Sequence, residues 1–115
     1  MTATRQAIVD AITAADVGLS PSTTKTGPVS PGDAWPVWRS TTFPNIHTAF
    51  NTWEVFVALP DAGADVTAAE ADPLVASVAA ALRAAGLQIE LVEPVRVGVV
   101  EGSNGTPALR FTAHD

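Results

Sequence analysis

The sequence predicts an α+β domain, a mainly antiparallel sheet carrying two helices in the order α-β-β-α-β-β. Three observations lead there. Residues 51–59, NTWEVFVAL, are the longest strand-like run. Trp53, Val55, Val57 and Leu59 share one face; Thr52, Phe56 and Ala58 share the other. Residues 67–86 place Leu74, Val75, Val78 and Leu82 on one side of a helix that Gly86 stops. Residues 87–114 then alternate in strand fashion on both sides of the turn signal Ser103-Asn104-Gly105.

Taken in order, the first helix covers residues 2–16. Ile8, Val9 and Ile12 form a narrow apolar stripe, Thr2 or Thr4 is the cap, and Gly18 is the stop. So short a helix holds only when docked. Residues 18–33 are rich in Ser, Thr, Pro and Gly, and Pro21, Pro28 and Pro31 forbid a central strand there. This reads as a surface loop, and its length also fits a segment that orders against a partner. Residues 34–43, AWPVWRSTTF, read as a strand starting near Trp35, with Pro36 placing it at an edge or a strand start. Pro44 and Asn45 turn the chain towards Ala49, which makes this strand the antiparallel neighbour of 51–59.

The 51–59 strand is apolar on both faces apart from Glu54, so it belongs in the middle of the sheet, ended by Pro60 and Asp61. Its second face then needs the first helix or another subunit as cover. Residues 61–67 read as a loop. The second helix starts either at Thr67, by capping-box spacing to Glu70, or at Asp72-Pro73. After it, Leu87, Ile89 and Leu91 alternate with Gln88, Glu90 and Val92. Pro94 breaks that strand, and Val95, Val97 and Val99 resume it. The last strand, within 107–114, points Leu109 and Phe111 inward.

Composition narrows the function. The chain has 115 residues, enough for one domain that buries roughly two-thirds of its unfolded surface, and 47% are hydrophobic. It has no cysteine, which removes disulfides and thiolate chemistry. No apolar run approaches the roughly 18–20 residues of a membrane span, and Asp10 interrupts the only candidate signal-peptide core. The net charge is -6, with 12 acidic against 6 basic residues, which argues against gripping nucleic acid through a basic patch.

Candidate chemistry is sparse. His47 lies in a turn and His114 beside the last residue, without metal-ligand spacing, so no metal site is expected. No serine stands in a G-x-S-x-G context. Gly102-Ser103-Asn104-Gly105 lacks phosphate-loop spacing and reads as a hairpin turn. Asp61, Asp65, Glu70 and Asp72 lack EF-hand spacing and read as a solvated loop. Glu54 is the carboxylate that an enzyme would use as acid or base, although the plainer reading points it to water at a strand end. No catalytic residue, cofactor or enzymatic activity is expected.

Trp35 and Trp38 fall on opposite faces of the edge strand, beside the Pro-rich loop. At least one belongs to the core, and the other is left outside a monomer, where Trp serves as an interface anchor. With the doubly apolar central strand, this predicts a subunit of an assembly. Arg outnumbers Lys five to one and Ala is abundant, which suggests a GC-rich genome.

The layout also carries a resemblance. A short helix is followed by a Pro-rich loop and GDAWPVW at 32–38, then the strand WEVFVALP at 53–60. An alanine-rich helix ends in LRAAG at 82–86, and VEP at 92–94 and PALRFT at 107–112 close the chain. This resembles the tail terminator (tail completion) proteins of long-tailed, siphovirus-type bacteriophages, particularly those of actinobacteria. The resemblance implies a structural virion protein of the tail and neck, present in the host cytoplasm during assembly. It implies a hexameric ring that caps the head-proximal end of the tail tube, stops its polymerisation and forms the joint to the head connector. The partners are further copies of the chain, the tail tube protein and the head–tail connector protein. DNA passes through the lumen without specific binding, and the acidic balance suits such a lumen. Loops and sheet edges make the subunit contacts in this family. The matching positions are Pro28, Trp35, Trp38 and Arg39 in the 28–39 segment, and Glu101 and Asn104 in the 101–106 turn. Other head-to-tail connector or adaptor proteins of the phage neck share the size and part of the layout. A different class, a small ligand-binding α+β domain with a pocket inside the sheet, is the remaining alternative.

Overall fold

The computed structural model describes residues 4–15, 18–59, 64–98 and 105–115, with backbone alone over 64–70. It contains helices α1 (Arg5–Ala15) and α2 (Ala64–Ala84) and strands β1 (Ser20–Pro21), β2 (Asp33–Asn45), β3 (Thr48–Ala58), β4 (Gln88–Val97) and β5 (Thr106–His114). The strands form one sheet in the order β1-β2-β3-β5-β4. All pairings are antiparallel except that of β1, a two-residue strand beside Asp33 and Ala34. The class is α+β, and the expected element order holds with β1 as an addition inside the Pro-rich segment.

β3 is the middle strand, as its two apolar faces require. Its Trp53, Val55 and Val57 meet Leu109, Phe111 and Ala113 of β5 under the helices, with Val55 opposite Phe111. Ile8 and Ile12 from α1 and Val78 and Leu82 from α2 close the same core. Thr4 caps α1, accepting the Ala7 N–H at 3.1 Å. At the end of α2, Gly86 takes φ +90°. Leu87 N–H then reaches back to Leu82 O, and Gly86 N–H to Arg83 O, both at 3.0 Å. This double hydrogen bond is the Schellman arrangement that only glycine adopts without strain.

Several boundaries differ from the sequence pattern. α2 begins at Ala64, ahead of both expected starts, and carries Pro73 inside it. Proline costs a helix interior about 3 kcal/mol. The docked face of Leu74, Val75, Val78 and Leu82 offsets this at about 1.5–3 kcal/mol per fully buried side chain. β4 runs unbroken through Pro94, because it is an edge strand and an edge tolerates a missing N–H. A bulge between Ile89 and Leu91 resets its alternation. Ile89 and Val92 therefore pack against the core, and Leu91 is left half exposed. The hairpin turn falls at Ile46-His47, after Pro44 and Asn45, both of which remain in β2. Asn45 Oδ1 closes it by accepting the His47 N–H at 2.8 Å.

α1 does not cover the second face of the sheet; it packs beside α2 on the first. The Pro-rich segment closes over one end of the sheet. Gly32 N–H donates to Ala58 O at 2.9 Å, and Lys25 pairs with Asp33 at 3.1 Å. Val29 reaches the far end of β4, 3.6 Å from where a Cβ on Gly98 would stand. Expectations that rest on Thr2, Pro60, Asp61, Val99, Glu101, Ser103 and Asn104 lie outside the described residues.

Candidate functional site

β3 pairs with β5 only from Thr52 to Ala58. Beyond that, residues 41–51 continue as a two-stranded arm of β2 and β3, in a molecule 48 Å long and 22 Å thick. The arm is held at its root. Trp38 Nε1–H donates to Thr41 Oγ1 at 3.1 Å, and Thr41 Oγ1–H donates to Asn51 Oδ1 at 2.6 Å. Asn51 in turn donates its backbone N–H to the Asp115 carboxylate at 2.8 Å. Further out the arm is apolar and bare: Ile46 is 93% exposed, Phe43 71% and Phe50 44%. An isolated two-stranded ribbon is marginally stable in water, and an exposed apolar surface of this kind is a candidate interaction site.

At the arm's base the second face of the sheet carries a row of alternating charge. Arg39 of β2 bonds Glu54 of β3, and Arg110 of β5 bonds Glu93 of β4. Arg110 Nε also lies 3.8 Å from Glu54 Oε2, which joins the two pairs. The Glu93 hydrogen bond pushes the Arg110 guanidinium further above its usual range. Glu54 is only 7% exposed and sits in mid-strand. This corrects the reading of a strand-end carboxylate pointing to water. A charge is kept in this position because guanidinium groups on both neighbouring strands face it.

The candidate residues separate clearly. Trp35 is 8% exposed and stacks on Phe56 with ring centroids 5.4 Å apart, so it belongs to the body of a single chain. Trp38, opposite Trp53 on the helix-bearing face, is 49% exposed at the root of the arm. Arg39 is outward and tied to Glu54, and Pro28 is exposed on the Pro-rich segment. Glu101 and Asn104 lie outside the described residues. Sequence reasoning missed Phe43, Ile46 and Phe50. A usable signal was present: residues 41–51 hold no Asp, Glu, Lys or Arg, and place apolar side chains on both sides of a turn.

Two shallow depressions lie among the described residues. A depression of about 470 Å³ lies at the arm's base, lined by Phe50, Thr52, Gly86, Gln88, His114 and Asp115. Another of about 430 Å³ lies near Leu59, Pro94 and Pro107. Among the described residues, no three His, Asp or Glu side chains converge as metal ligands. No helix there is long and apolar enough to cross a membrane. No protein-family model matches this chain, and no curated protein matches it.

Proposed function

We propose that this protein is a ring-forming tail terminator of a long-tailed phage. It caps the head-proximal end of the tail tube, stops tube polymerisation and provides the joint to the head connector. The observation that supports the reading is the arm, whose apolar tip at Phe43 and Ile46 is exposed in a single chain. A surface of this kind suits a subunit that is completed by neighbours. The net charge of -6 suits a lumen through which DNA passes without being held. No catalytic residue, metal or cofactor enters the reading. A neighbouring connector or adaptor of the phage neck is favoured by the same arm and differs in what the ring binds.

The test is the mass of the purified protein by light scattering over a range of concentrations, with negative-stain images of the protein alone and mixed with tail tube protein. Rings that cap tube ends are expected. Rings that ignore tubes and bind the head connector would replace the terminator by the adaptor. Neither rings nor capped tubes would overturn both.

A further inference from the structure

The Pro-rich segment is held at two levels. Its neck belongs to the sheet. Ser20 N–H donates to Gly32 O at 2.8 Å, Ser22 N–H to Ala34 O at 2.9 Å and Gly32 N–H to Ala58 O at 2.9 Å. Beyond the neck, residues 23–31 leave the sheet and return to it, and none of them is buried. The next stretch of chain differs sharply, since Ala34, Trp35 and Pro36 are all buried. Two ties of the loop converge on one atom. Asp33 Oδ2 takes Lys25 Nζ from the outgoing leg at 3.1 Å and the Ser30 N–H from the returning leg at 2.9 Å. Asp33 N–H donates in turn to Ser30 O at 3.0 Å. Farther out, Val29 Cγ2 stands 3.6 Å from where a Cβ on Gly98, just past the end of β4, would be.

We propose that residues 23–31 form a lid that opens as a unit off the end of β4, with the Asp33 carboxylate as its latch and the neck left in place. This goes beyond the ring reading and does not depend on it. An ion pair between partly exposed side chains is weak, and one half-buried valine adds little. The neck bonds instead join β2 and β3 and share the stability of the sheet. The two levels therefore open separately, as locally stable units do. One oxygen serves both legs, so releasing Lys25 also loosens the hold on Ser30, although the acceptor of Ser30 is untouched. The surface uncovered is the end of β4, an edge strand.

The test is amide hydrogen exchange by NMR on the full chain, corrected for intrinsic rates, in wild type and in Lys25→Gln. Lys25 is the only lysine and makes no core contact, so the variant is expected to fold. In wild type the Ser30 amide is expected to be protected at least about tenfold less than the Ser22 and Gly32 amides of the neck. Lys25→Gln is expected to speed Ser30 exchange about threefold or more, to weaken the Val29–Gly98 contact seen as a nuclear Overhauser effect, and to leave Ser22 and Gly32 unchanged. Ser30 protected as strongly as Gly32 in wild type would overturn the proposal. So would Ser30 exchange that ignores Lys25→Gln, because the two legs would then be held independently. Acceleration of Ser22 and Gly32 together with Ser30 would also overturn it, because the neck would then open with the loop and no lid would exist.

Discussion

Replacing Glu54 by Gln separates a buried structural charge from a solvated one. The substitution keeps size and one acceptor but removes the charge that faces Arg39 and Arg110. At 3.8 Å, the Arg110–Glu54 attraction is worth about 4 kcal/mol at an effective dielectric constant of about 20, before desolvation is subtracted. The Glu54 side chain is 10% exposed, but those of Arg110 and Arg39 are 32% and 61% exposed and rehydrate when the partner is lost. The expected cost therefore lies between the ~0–1 kcal/mol of a surface pair and the ~3–5 kcal/mol of breaking a fully buried one. We expect about 2 kcal/mol. At a urea m-value of about 1–2 kcal/mol/M, the unfolding midpoint falls by about 1–2 M with no change in m. Glu93→Gln is the control: its side chain is 34% exposed, and the loss should stay below about 1 kcal/mol. A Glu54→Gln loss no larger than the control would refute the argument, because the row of charges would then be a solvated surface feature.

The other predictions test the arm's root, the loop and the helix stop. Trp38→Ala removes a half-buried indole that covers about 100 Å² of its own surface, so at about 25 cal/mol/Å² it should lower stability by about 2 kcal/mol, measured by urea unfolding; a change near zero would mean that Trp38 acts only between subunits. The Asp33 carboxyl is held below its usual 3.8, first by the Ser30 N–H and then by Lys25. Because the folded value is the lower one, this contribution is complete above the unfolded value and fades as pH falls through the folded one. Melting temperatures of wild type and Asp33→Asn should therefore differ at neutral pH and converge in acid; a constant gap would count against the assignment. Gly86→Ala meets no atom within 4 Å, so its cost is the left-handed backbone alone, about 1–2 kcal/mol by thermal unfolding. An unchanged melting temperature would show that α2 ends another way.

The sequence determined the parts whose signal is local. Alternation in 51–59 identified β3 and its two faces, because a pleated strand sends successive side chains to opposite sides. The stripe of Ile8, Val9 and Ile12 identified α1, and Gly86 the stop of α2, since caps and stripes depend on residues within a turn or two of one another. Tertiary structure decided what depends on neighbours distant in the chain. Pro94 is harmless because β4 is an edge, and the strand order comes from pairing across the sheet. Glu54 is buried because Arg39 and Arg110, fifteen residues before it and fifty-six after it in the chain, arrive on the strands flanking β3. The bareness of Phe43, Ile46 and Phe50 is likewise not a property of those residues. It follows from β5 ending its pairing with β3 at Thr52, which leaves the hairpin to run on without a third strand or a helix to cover it.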